Sequence, residues 1–182
     1  MKNILLYLSA FIPMYVLVVV KQIIEILIGN AKANFLNIMV ACFLALLIVL
    51  GLVGLKMEIA NKNQKSQKIV IICKKNTTDE HFLGYFSLFV LFAISFDLTK
   101  VSMLIIFILI LVMIGVVYVK NKLFYINPFL NILGFNFYDI TYKLKGDKKE
   151  MTTKIFYKGD LLLNKEYLVK IKDENFSFMD KK

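Results

Sequence analysis

The stretch NPFLNILGFNFYDITYKL, Asn127 to Leu144, divides two chemistries: long apolar runs precede it and a lysine-rich tail follows. It is apolar itself, yet Asn-Pro opens it, a glycine splits it and tyrosines lie toward its end. Asn127 suits a helix N-cap, because its side-chain oxygen can accept from the open N–H groups of a first turn. Pro128 suits the first helical position and keeps Asn127 out of helical conformation, so a preceding helix ends there. Gly134 fits the left-handed position just past a short helix. "NPFLNILG" therefore reads as an elbow of one or two turns at the inner membrane interface. "FNFYDITYKL" alternates aromatic and polar residues and reads as a strand. "KGDKKE" is a turn, "MTTKIFYK" a second strand, "GD" a further turn, and "EYLVKIK" and "FSFM" are more strands. Residues 127–182 are thus an elbow helix plus a small β module. So small a module is marginal alone and is expected to lean on the Ile69 to Ile72 strand, on the elbow or on a neighbouring subunit.

What precedes the elbow needs lipid as its solvent. The 182-residue chain is 59% hydrophobic with a mean hydropathy of +0.69, against about 45–50% apolar residues in a soluble domain. A helix needs about 20 residues to cross ~30 Å of hydrocarbon. Four stretches are candidates: Ile4 to about Ile28, Phe35 to Leu55, Phe82 to about Phe96, and Val101 to Val119. The third is short, so its helix is expected to begin at Thr78 behind a Thr77-x-x-Glu80 capping box. The first is too long for the apolar region of a signal peptide, although Ala31-Lys32-Ala33 looks like a cleavage site. Lys21 and Glu25 interrupt it at i,i+4 spacing and can pair on one helix face. An intramembrane charge invites a functional reading, but a lysine this near the end can snorkel to the interface. The expected fold is a four-helix transmembrane bundle (residues 1–126, with a basic loop at 56–81) followed by a cytoplasmic β-rich module.

The net charge is +10 and all 23 basic residues are lysine. Without arginine there is no planar, bidentate phosphate recognition, so direct nucleic-acid binding is not expected. Lysines mark the cytoplasmic side of a membrane protein. With four spans, 20 of the 23 fall on one side: Lys2, six between Lys56 and His81, and thirteen from Lys120 onward. Only Lys21, Lys32 and Lys100 fall opposite. Both termini and the middle loop are therefore expected inside. The outer connections, Gly29 to Asn34 and Asp97 to Lys100, are too short to hold a ligand-binding domain. In the middle loop "NKNQKSQK" is polar, while the β-branched "IVII" (Ile69 to Ile72) reads as a strand that needs a partner.

No catalytic pattern is present: no G-x-S-x-G, no H-E-x-x-H and no phosphate-binding glycine loop. His81, beside Asp79 and Glu80, reads as a surface residue at a helix start, and Asp173-Glu174 as a solvated turn. Cys42 lies in an apolar run and Cys73 in the basic loop, with no CxxC spacing. No enzyme activity, cofactor or metal is expected. Within the spans the signals are small residues. Ala41 and Ala45 have small-xxx-small spacing, Gly51 and Gly54 allow close backbone approach, and Gly84, Ser87 and Ser95 lie near one face. Such stripes pack helix on helix and point to a homo-oligomer; a polar pore lining is the other reading.

The arrangement resembles the KwaA family, the membrane subunit of the Kiwa anti-phage defence system. Three features carry the resemblance. They are the four spans with short outer loops, the polar lead "NTTDEHFLGYFSLFVLF" into the third span, and the elbow "YINPFLNILGFNFYDITYKL". Asn127, Pro128, Gly134, Tyr138 and Asp139 match the family's Asn-Pro, glycine and aromatic-acidic pair entering a strand. The architecture covers most of the chain and the local match about a quarter. The resemblance implies a non-enzymatic sensor and scaffold in the bacterial inner membrane that recruits a cytoplasmic KwaB-like DNA-binding effector. With such small outer loops, this sensor would read the bilayer or the packing of its own spans. The composition also admits an oligomeric channel or pore-forming effector, and a membrane immunity protein.

Overall fold

A computed structural model describes residues 2–29, 35–59, 66–121, 123, 127–144, 146, 149–173 and 176–179. Lys32, Lys65 and Lys148 lie outside the described residues, as do the side chains of Asp79, Glu80 and His81.

The first apolar stretch is two helices, α1 (Lys2–Ala10) and α2 (Ile12–Leu27), bent by 48° at Phe11. The cause is Pro13 in the first turn of α2: its ring clashes with the carbonyl four residues back and it lacks an N–H to donate. The single helix expected from Ile4 to Ile28 is thus a broken one. Helix α3 (Phe35–Ile59) and helix α5 (Val101–Lys120) are each long and apolar enough to cross a membrane, and α1 with α2 qualify together as one broken span. Helix α4 (Thr78–Ser95) has an apolar part, Phe82–Ser95, that is shorter than a standard span. The four expected spans thus reduce, by length and composition, to two helices or three. Helix α4 starts at Thr78, but Thr77 makes no side-chain cap; Asn76 Oδ1 accepts from Thr78 N instead, at 2.9 Å.

Helix α1 is the hub of the bundle. Its Leu5–Ser9 backbone lies against Gly51 and Gly54 of α3, and the Tyr7 ring lies against Gly115 of α5. The Tyr7 hydroxyl donates to Leu111 O at 2.5 Å. Tyr7, Phe11, Tyr15, Phe89 and Phe107 fill the interior. The opposite helix faces carry exposed Ile24, Ile38, Leu46, Leu109 and Met113, an apolar surface that suits lipid.

The β module is a closed five-stranded barrel. Its strands are β1 (Ser66–Asn76), β2 (Asn136–Leu144), β3 (Glu150–Tyr157), β4 (Glu166–Asp173) and β5 (Phe176–Met179). Their order is β1-β2-β3-β5-β4, with the ring closed between β4 and β1. Every pairing is antiparallel except β3 with β5. This is the connectivity of an OB barrel, a scaffold that by itself fixes no function. Strand β1 comes from the basic loop, so α4, α5 and the elbow are inserted between β1 and β2. Ile69, Ile71, Tyr138, Ile140, Ile155 and Val169 fill the barrel. The tail strands thus gain the closure they lack alone from a strand ahead of two helices.

Candidate functional site

The barrel is bolted to the helices at the elbow. Helix α6 (Pro128–Ile132) begins at Asn127, whose Oδ1 accepts from Phe129 N at 3.1 Å and Leu130 N at 3.3 Å. The Asn127 amide nitrogen donates to Ser9 Oγ at 2.9 Å, and Ser9 Oγ donates to Leu6 O at 2.7 Å. Both side chains are buried, where a lost hydrogen bond is felt most. One asparagine thus caps the elbow and ties it to α1 beside its break.

The elbow ends in a Schellman motif. Gly134 sits at φ +83°, with Gly134 N donating to Asn131 O at 2.9 Å and Phe135 N to Leu130 O at 3.0 Å. The left-handed residue turns the chain into β2 while satisfying the last helical carbonyls. Leu6 of α1, Leu55 of α3, Leu130 of α6, Phe137 of β2 and Phe156 of β3 form one buried cluster. The Phe137 and Phe156 rings lie 5.1 Å apart. Helix α4 joins from the other side: Thr77 N donates to Phe137 O at 3.0 Å, and Phe137 N to Thr78 Oγ1 at 2.8 Å. Ile132 and Leu133 stay exposed beside this junction.

The five elbow residues named from sequence therefore separate. Asn127, Pro128 and Gly134 build the junction. Tyr138 lies in the barrel core, its hydroxyl donating to Gly159 O at 3.2 Å, and burial pushes its pKa up. Asp139 points to the outer face, in register with Lys75 on β1 and Lys154 on β3. It lines a hollow of about 400 Å³ with Cys73, Thr141 and Thr152. The lining also includes Lys75, Thr153 and Lys154.

The other named residues sit apart from the junction. Lys21 Nζ lies 3.8 Å from Glu25 Oε1 and donates to Ile94 O and Phe96 O at 3.0 Å each. It thereby covers open carbonyls at the C-terminus of α4, where a cation is favourable. Ala45, Gly84, Ser87 and Ser95 are exposed, Ala41 is half-buried, and a Cβ on Gly84 would meet nothing within 4 Å. Close helix packing inside the chain uses Gly51, Gly54 and Gly115 instead. Sequence reasoning missed Ser9 and Pro13; a proline within an apolar run is the signal that marks the break. Among the described residues no group of three or more His, Cys, Asp or Glu could hold a metal ion, and Cys42 and Cys73 are free.

A family model described as anti-phage protein KwaA matches residues 2–178, covering the helices and the barrel alike. No curated protein and no solved structure matches the chain. With the match running from α1 to β5, through both sides of the elbow, the chain belongs to the KwaA family of anti-phage proteins.

Proposed function

We propose that this protein is a non-enzymatic sensor and scaffold of the bacterial inner membrane, which holds a cytoplasmic DNA-binding effector on its barrel. The observation that carries the reading is the junction. Leu6, Leu55, Leu130, Phe137 and Phe156 join two membrane-apolar helices, the elbow and the barrel in one buried cluster. A packed cluster shifts as a unit rather than deforming continuously. A displacement of α1 or α3 in the bilayer therefore reaches the barrel as a rigid movement.

Four passes, with both termini on the cytoplasmic side, suit this role. Leu6 of α1, Leu55 near the end of α3 and Thr78 at the start of α4 all meet the barrel side. The apolar part of α4, Phe82–Ser95, extends ~21 Å at 1.5 Å per residue, a short span that local thinning of the bilayer accommodates. The lysine-rich segments then lie with the barrel. The interior of the single chain is filled by aromatic rings, which favours the scaffold over a pore through one subunit.

The test is co-expression of the full chain with a KwaB-like cytoplasmic DNA-binding protein, followed by membrane pull-down and phage challenge. The partner should be retained on membranes only with the chain present. Charge-reversing changes on the barrel surface, such as Lys143→Glu, should reduce retention without removing the chain from the membrane. A partner that stays soluble in all cases overturns the scaffold reading.

A further inference from the structure

Beside the packed core runs an open groove between α1, α3 and α5, with a volume of about 610 Å³. Leu8 of α1, Phe43 and Leu47 of α3, and Val112 and Val116 of α5 line it, and among the described residues Lys120 is the one charged residue along it. From Ile108 to Lys120 its α5 wall extends ~18 Å at 1.5 Å per residue. One leaflet of a ~30 Å hydrocarbon core has a similar depth. The groove's lining is apolar apart from Lys120 at one end, which suits a hydrocarbon chain with an anionic headgroup.

We propose that this groove holds an anionic phospholipid of the cytoplasmic leaflet, its tail between α1, α3 and α5 and its phosphate at Lys120. The assignment rests on the membrane placement described above, with the barrel in the cytoplasm. Its consequence lies in α1. That helix lines the groove with Ile4 and Leu8 and carries Leu6 and Ser9 into the junction. Lipid in the groove supports α1 where Ser9 meets Asn127, so the state of the bilayer acts on the barrel through one short helix.

The chain has no tryptophan, so Phe43→Trp places a single fluorophore in the groove wall. In vesicles, brominated phosphatidylglycerol at low mole fraction should quench it more strongly than brominated phosphatidylethanolamine. Adding Lys120→Gln should raise the phosphatidylglycerol fraction needed for half-quenching about fivefold, the effect of one lysine near an anionic surface. Val116→Phe should block the groove and weaken quenching by both lipids. Met113→Trp, exposed and outside the groove, should show no headgroup preference. Equal preference at both tryptophans, or none lost with Lys120→Gln, overturns the proposal. So does disulfide cross-linking of two copies through Val116→Cys in a Cys42→Ser, Cys73→Ser background, which would put a second chain in the groove. Surface labelling of the spans is a separate readout, so failure with labelling intact removes the lipid site and leaves the topology standing.

Discussion

Asn127 serves two elements with one side chain, and its partner Ser9 sits in the turn just before the α1 break. Replacing an N-cap asparagine by alanine removes about 1 kcal/mol, and a buried hydrogen bond contributes a similar amount. Asn127→Ala and Ser9→Ala should each lower the thermal midpoint in mild detergent. The double variant should lose less than the two single losses together, because the shared bond is lost only once. Strict additivity would mean that the two side chains do not support each other. The glycines allow a sharper contrast. A Cβ on Gly54 would lie 2.3 Å from Leu5 Cβ and 2.9 Å from its backbone carbon. Gly54→Ala should therefore destabilise by about 1–3 kcal/mol through overpacking. Gly84 faces open space within its helix, so Gly84→Ala should stabilise by up to about 1 kcal/mol through reduced chain entropy. Opposite signs in thermal unfolding are the expected result; equal signs would contradict the packing of α1 on α3.

The elbow is the shortest α-helix among the described residues and carries the most consequential turn. Pro128 holds Asn127 in extended backbone, where the asparagine can cap. Gly134 supplies a left-handed residue that would cost another residue about 1–2 kcal/mol or more, most for a β-branched one. Pro128→Ala and Gly134→Val should leave the protein membrane-inserted while loosening the barrel from α1. The measurements are faster cleavage near residue 134 in limited proteolysis and reduced phage protection at equal expression. Variants that protect and bind the partner like wild type would reduce the elbow to a connector. Strand β1 adds a constraint of its own. Its register with β2 pairs Ile69 with Leu144 and Asn76 with Tyr138, although α4, α5 and α6 intervene in the chain. The barrel can close only once α4 and α5 bring the two strands together.

At the scale of the whole molecule the lysine asymmetry makes the testable statement. In a background with Cys42 and Cys73 replaced by serine, Lys32→Cys and Lys100→Cys should react with an impermeant thiol reagent on intact cells. Lys65→Cys and Lys148→Cys should react only after permeabilisation. Outside labelling at 148 would invert the barrel and sink the four-pass topology. The exposed small residues bear on self-association. Ala45 and Gly84 make no close packing within the chain, so Ala45→Leu or Gly84→Leu should weaken an oligomer without unfolding the monomer. Chemical cross-linking of wild type in mild detergent should trap multimers that these variants lose. A wild-type protein that cross-links only as monomer would rule out association through these faces.

Local chemistry was legible in the sequence wherever neighbours within a few residues decide the outcome. The Asn-Pro start and glycine end of α6 are of this kind, because capping energies act over a single turn. So are the alternating strands of the tail and the apolar length of α3 and α5. Pro13 belongs here too, since it breaks its helix through its own ring. What only the tertiary structure decided involves partners far apart in sequence. In helices apolar all round, hydrophobic period cannot tell a lipid-facing residue from a core one. Gly51 and Gly54 therefore look no different from Ala45 and Gly84 until α1 is laid against α3. A strand pattern reports which residues alternate but not which strand lies beside it. The Ile69 to Ile72 run was legible as a strand on which the tail could lean, but its register against β2 and β4, across α4, α5 and α6, was not. The same holds for the cluster of Leu6, Leu55, Leu130, Phe137 and Phe156, whose members come from five elements and meet only when the whole chain is folded.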